Sequence, residues 1–143
     1  MKKYILFFYI ICCTAAYNIT TLALFKQINN TYTIHGLWPT FSIEPLEYPS
    51  YCSHDKFQVS LLEPIYKNMK TYWYSDQESN VEFWKHEWYK HGTCSGYKFI
   101  DYFNQTLNLF YNQTKHFNIC NFCKDNCVLN YYKNLTFINS ICE

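Results

Sequence analysis

The stretch Phe83-Trp84-Lys85-His86-Glu87-Trp88-Tyr89-Lys90-His91-Gly92-Thr93-Cys94 decides how this chain is read. It has no proline before Gly92, and the spacing predicts a helix stopped by that glycine. At about 100° per residue, with His86 at zero, Lys90 falls near 40°, Glu87 near 100° and His91 near 140°. Phe83 lies on the same face about one turn earlier, while Trp84 and Trp88 fall near 160° and 200° and are expected to face a core. An aromatic anchor behind four ionisable side chains would hold an acid–base cluster rigidly at the lip of a cleft. A solvated polar helix side is the plainer alternative. It leaves unexplained a second polar motif, Ile34-His35-Gly36-Leu37-Trp38-Pro39, at the end of an expected strand.

Around these two motifs the pattern is mixed. Ile19 to Phe25 and Thr31 to Ile34 read as strands joined by Asn29-Asn30. Phe57 to Met69 and Asp101 to Phe110 have the three-to-four spacing of amphipathic helices. Leu135 to Cys142 reads as a further strand. No repeat or linker divides the chain, and regular βαβ alternation is missing, so the expected class is α+β in one domain.

The chain has 143 residues, is 22% aromatic, and carries 12 basic residues, all lysine, against 11 acidic ones for a formal charge of +1. That balance excludes a strongly basic protein that holds nucleic acid by counterion release, and the aromatic content excludes disorder. Met1-Lys2-Lys3, the apolar run Tyr4 to Cys13 and the small residues Thr14-Ala15-Ala16 read as a signal peptide over 1–16, leaving a domain over 17–143. The run is too short to span a bilayer, and no later stretch is a candidate span. Beyond it remain Cys52, Cys94, Cys120, Cys123, Cys127 and Cys142, an even set that reads as disulfides in an exported chain. The Cys120, Cys123 and Cys127 spacing also suggests zinc, which compartment disfavours. For the last four cysteines three connectivities are open, with Cys142 expected to pair with Cys120 or Cys123. Sequons at Asn18, Asn29, Asn104, Asn112 and Asn134 agree with an exported glycoprotein.

Two histidines near neutrality, one able to take a proton and one able to give it, suit an in-line displacement between two oxygens. A lysine and a protonated histidine beside them would stabilise an anionic transition state. RNA brings its own nucleophile, the ribose 2′-OH, so neither a metal nor a protein nucleophile is required, and DNA should resist. A zinc-hydrolase reading of His86-Glu87 fails on spacing, because Lys90 stands where the second histidine ligand belongs. His54 and His116 receive no role.

The pair HGLWP and FWKHEWYKHGTC closely resembles the two active-site signatures of the ribonuclease T2 family. Tyr48-Pro49-Ser50-Tyr51-Cys52, Tyr72-Trp73, Tyr102-Phe103, Phe117 to Asn121 and Ile138 to Cys142 resemble further family segments. The resemblance implies an antiparallel central sheet with packed helices, and a cofactor-free endoribonuclease that forms a 2′,3′-cyclic phosphate and then 3′-phosphate ends. His91 would be the general base and His35 the general acid. Glu87 and Lys90 would stabilise the transition state, and His86 would bind the phosphate. Trp38 and Tyr48 are candidates for one base pocket and Phe83 for the other, although Trp38 also reads as ordinary core. Cys52 and Cys94 match the family's most general disulfide. The implied partner is single-stranded RNA as a transient substrate of a monomer, secreted or lumenal in the secretory or endolysosomal pathway. The alternative is an inactive glycoprotein that uses the fold for binding. The chain departs from the family's pattern in three ways. The loop after Phe25-Lys26-Gln27 is short and lacks its cysteine. Thr40 stands where relatives often carry a base-reading side chain. Relatives usually continue beyond the last strand.

Overall fold

The computed structural model describes residues 17–112 and 120–142; the expected signal peptide lies outside the described residues, as does His116. At its centre is β1, Ile19–Lys26, whose residues from Thr20 to Leu24 are all buried. Small and branched residues suit a strand covered on both faces. It pairs with β2 (Tyr32–Thr40) on one side and β3 (Cys127–Tyr132) on the other, and β4 (Phe137–Cys142) pairs with β3. The sheet is antiparallel throughout, in the order β2-β1-β3-β4. The helices are α1 (Tyr66–Tyr72), α2 (Asn80–Lys90) and α3 (Phe99–Asn112). The expected α+β arrangement is what forms.

One core joins sheet and helices. Leu22 and Leu24 of β1, Ile34 and Leu37 of β2 and Leu129 of β3 meet Trp84 and Trp88 of α2 and Tyr102 and Phe103 of α3. Each such side chain contributes roughly 1.5–3 kcal/mol when fully buried. The opposite face carries a small cluster of Ala23, Trp38 and Val128. Beside it a polar ladder crosses all four strands: Thr40 and Thr21 hydroxyls lie 2.9 Å apart, Thr21 donates to Asn130 Oδ1 at 2.7 Å, and Asn130 Nδ2 donates to Asn139 Oδ1 at 3.0 Å. Paired in this way, the buried polar atoms avoid an uncompensated desolvation cost.

The second strand runs further than its sequence suggests. It continues through the whole HGLWP motif, and the register steps from Leu24↔Ile34 to Ala23↔Gly36, leaving His35 as the extra residue of a β-bulge. Residues three apart on a regular strand point to opposite faces. Across the bulge, Ile34 and Leu37 both enter the same core, while His35 and Trp38 both reach Glu87. Pro39, which has no N–H to donate, is tolerated because β2 is an edge strand.

Two other expectations are corrected. The segment 57–69 is not one α-helix: a 3-10 stretch, Val59–Ile65, leads into α1, because Pro64 cannot donate an α-helical hydrogen bond. Leu62 and Met69 are nevertheless buried as their spacing requires. No strand was expected at 127–132, where β3 lies beside β1. Three disulfides form among the described residues: Cys52–Cys94, Cys120–Cys127 and Cys123–Cys142. The first is the one the resemblance implied, and Cys142 takes one of its two expected partners. All four tail cysteines are thereby used within the chain rather than left as thiolate ligands.

Candidate active site

Helix α2 supplies most of the site. Ser79 caps it by accepting from the Glu82 N–H at 3.2 Å, Glu82 lies in its first turn and Lys90 in its last, so both ends match the helix dipole. Trp84 and Trp88 are buried as the helical wheel requires; their indoles donate to the carbonyls of Trp73 at 2.6 Å and Asp55 at 2.8 Å. These bonds fix the rotation of the helix. Its polar face is graded rather than uniformly wet, since Glu87 and His91 are each 1% exposed while His86 stands in solvent.

Glu87 is the hub. Its Oε1 lies 3.7 Å from His35 Nε2, and its Oε2 accepts from the Trp38 indole N–H at 3.1 Å. Gly36 makes this approach possible, because a Cβ there would overlap the Glu87 carboxylate and the Trp38 indole nitrogen. Trp38 stacks on His91 with centroids 5.0 Å apart and planes at 24°. Tyr48 tilts against His91 at 5.0 Å, and Lys90 Nζ lies 5.5 Å over the Tyr48 ring. The Nδ1 of His91 is buried with no hydrogen-bond partner among the described residues. Such an orphan is costly unless a bound group completes it.

The segment carrying Tyr48 is held where α2 ends. Tyr51, at φ 54°, donates its N–H to the Lys90 carbonyl at 3.1 Å, and the Cys52–Cys94 bridge closes beside it. Just beyond, Gly92 packs so closely on Trp88 that a Cβ would collide with the indole. On the other side, the Trp73 indole donates to the His35 carbonyl at 2.8 Å, anchoring the bulge.

Electrostatically the cluster is a desolvated knot beside a cation. Burial, with Lys90 and His86 adding repulsion, pushes His35 down from 6.5 to about 4. Burial, Lys90, His35 and His86 push His91 down to about 3. Burial raises Glu87 from 4.5 to about 8 against the opposing pull of the Trp38 hydrogen bond and Lys90. His35 and Glu87, though close, are therefore a neutral pair around pH 6, not an ion pair.

A cleft of about 600 Å³ opens over His35, Phe83, His86 and Glu87, with Phe25, Gln27 and residues 74–78 among its walls. Trp38, Tyr48, Lys90 and His91 do not line this cleft but adjoin it, through the Trp38–Glu87 hydrogen bond and the edge contact of Trp38 with His35. Glu87 links the candidate residues that line the cleft to those beside it. A larger groove of about 800 Å³ lies over residues 59–71, away from this chemistry. Thr40 is fully buried, its hydroxyl facing the Trp38 carbonyl and Thr21, so it is not placed to read a base. Phe25 and Asn126 were not anticipated here. Phe25 follows core-facing positions in β1 without a motif of its own, and only the fold brings Asn126 to the cleft.

The sequence profile of the Ribonuclease T2 family matches residues 3–136. Ribonuclease Rh of Rhizopus niveus is 32% identical over 122 residues, covering 68% of this chain and 51% of that protein. Ribonuclease 1 of Arabidopsis thaliana is 41% identical over 85 residues, covering 54% and 36%. The chain spans about half the length, or less, of these curated relatives. Among solved structures, ribonuclease MC1 from bitter gourd seeds superposes with a TM-score of 0.71 at 18% identity, covering 89% of this chain and 100% of that one. RNase NT, solved in complex with 5′-AMP, gives 0.64 at 20% identity, covering 86% and 90%. These likenesses carry the fold, and the sequence match carries the membership: the chain belongs to the ribonuclease T2 family.

Proposed function

We propose that this protein is an endoribonuclease that cleaves single-stranded RNA without a metal, by transphosphorylation to a 2′,3′-cyclic phosphate and then hydrolysis to a 3′-phosphate. The observation that carries this reading is the convergence of His35, Trp38 and, through Trp38, His91 on one buried carboxyl group, Glu87.

His91 is neutral over the working range and so is in the form a general base needs. It takes the 2′-OH proton while the 2′-oxygen bonds to phosphorus; the bond from phosphorus to the 5′-oxygen breaks, and His35 donates a proton to that oxygen. Water then opens the cyclic phosphate with the two histidines exchanging roles. His35 must bind a proton first. A phosphodiester between it, Lys90 and exposed His86 brings the negative charge that offsets their repulsion and raises its affinity for that proton. Lys90, and Glu87 as a protonated donor, stabilise the extra charge on the phosphorane. The half-buried Tyr48 ring, backed by Trp38, takes one base by stacking, and Phe83 in the cleft takes the other.

Three disulfides and the leader-like start support export, to the outside or to a lumen of the secretory or endolysosomal pathway. RNA should be cut in excess chelator and DNA left intact, with His91→Ala strongly impaired. Absence of cleavage anywhere between about pH 4 and 8 would favour an inactive binding protein instead.

A further inference from the structure

Phe25 and His35 lie face to face, with ring centroids 4.1 Å apart and planes 17° apart. The other rings near His35 make different contacts: Trp38 meets it edge-on at 5.0 Å and 80°, and Phe83 lies 5.9 Å away at 35°. The bulge creates the flat contact. Phe25 faces Thr33 across the ladder and Leu24 faces Ile34, while His35 has no partner in register, and its ring lies across that of Phe25. Phe25 is half-buried and lines the same cleft as His35 and Phe83.

The titratable groups that act on His35 most directly project from α2 and its cap: Glu87 at 3.7 Å, with Lys90, His86 and His91 acting on it or coupled to it by charge. From other elements, Lys26 of β1 and Asp76 and Glu78 of the segment before α2 line the same cleft. Lys90 and His86 oppose a proton on His35, and Glu87 is itself protonated around neutrality, so it supplies little counter-charge. An aromatic face is the negative part of the ring's quadrupole, and a cation held against it is stabilised relative to the neutral form. A flat stack also restricts rotation of the imidazole about its own bond.

We propose that Phe25 is a positioning residue for His35: its phenyl face holds the imidazole with Nε2 toward Glu87 and favours the protonated ring that a general acid must present. This rests on the general-acid role proposed for His35, but the experiment separates the two.

His35 is titrated by NMR in the unliganded protein and in Phe25→Leu, Phe25→Met and Phe25→Tyr. The two aliphatic variants are expected to lower the His35 midpoint by about 0.5–1 pH unit, and Phe25→Tyr to keep it. In cleavage assays the alkaline limb of kcat/KM should move down with that midpoint while the acidic limb stays, a pattern that simple loosening of the strand would not produce. An unmoved His35 midpoint in both aliphatic variants, or a Phe25→Tyr protein that behaves like them, overturns the proposal. A protein that cleaves no RNA removes the general-acid role, and the NMR comparison still decides whether Phe25 sets the state of His35.

Discussion

His35 Nε2 lies 3.7 Å from Glu87 Oε1, yet desolvation holds both groups neutral around pH 6. The pair is therefore not a salt bridge around pH 6, and the protein's stability and activity should respond to pH accordingly.

The stability consequence has a definite sign. His35 and His91, lowered to about 4 and about 3, contribute stability that is complete above their ordinary 6.5 and lost as pH falls toward those values. Glu87, raised to about 8, contributes stability that is complete below its ordinary 4.5 and lost as pH rises to 8. Between those ordinary values two histidines outweigh one carboxyl, so the contribution of the cluster peaks near pH 6.5. Each net proton corresponds to a slope of roughly 1.4 kcal/mol per pH unit. Denaturant midpoints measured from pH 4 to 9 should show the decline on both sides, and Glu87→Gln should flatten the alkaline one. A stability that keeps rising through pH 8 would refute the assignment of Glu87 as a buried protonated group.

Glu87→Ala removes the hub. Cleavage should fall by about 10²–10³, chiefly in kcat, because its interaction is realised in the transition state. Steady-state kinetics would count against this role if KM rose instead while kcat held.

Gly36→Ala tests the close approach of β2 to α2. The added methyl meets the Glu87 carboxylate and the Trp38 indole. Overpacking of this kind costs about 1–3 kcal/mol, and the displaced carboxyl should also lower kcat. Unfolding curves and rates identical to those of the parent protein would show that the contact yields freely.

The fold and site were legible in the sequence to different depths. Trp84, Trp88, Glu87 and His91 follow from the helical period, because a helix imposes its own geometry on its side chains. That His35 and Trp38 share a face does not follow, since strand alternation puts residues three apart on opposite sides; the bulge at His35 overrides it, and Gly36 leaves room for the Glu87 carboxylate. Pro64 signalled the break before α1 but was masked by strong apolar spacing on both sides. Val128 to Tyr132 was overshadowed by the cysteines around it. The six cysteines announced disulfides, and only the fold brought Cys123 to Cys142. Phe25 carried no signal, because its partner is set by register.

Cys52–Cys94 closes a sequence separation of 42 between the Tyr48 segment and the end of α2. Chain-entropy reasoning puts its contribution at about 4 kcal/mol. Replacing both cysteines with alanine should lower Tm markedly and raise KM before it affects the residual chemistry. Thermal unfolding with an unchanged midpoint would refute the bridge as a support for the site.

In the proposed mechanism His91 takes the proton of RNA's own 2′-hydroxyl and His35 protonates the departing 5′-oxygen. The most direct test of that mechanism is end-group analysis of the first products formed from a short single-stranded RNA in EDTA, for the parent protein and for His35→Ala and His91→Ala. Early accumulation of 2′,3′-cyclic phosphate ends is expected, with each variant slowed by about 10²–10⁴. Products bearing 5′-phosphates, or either variant cleaving at the parent rate, would contradict it.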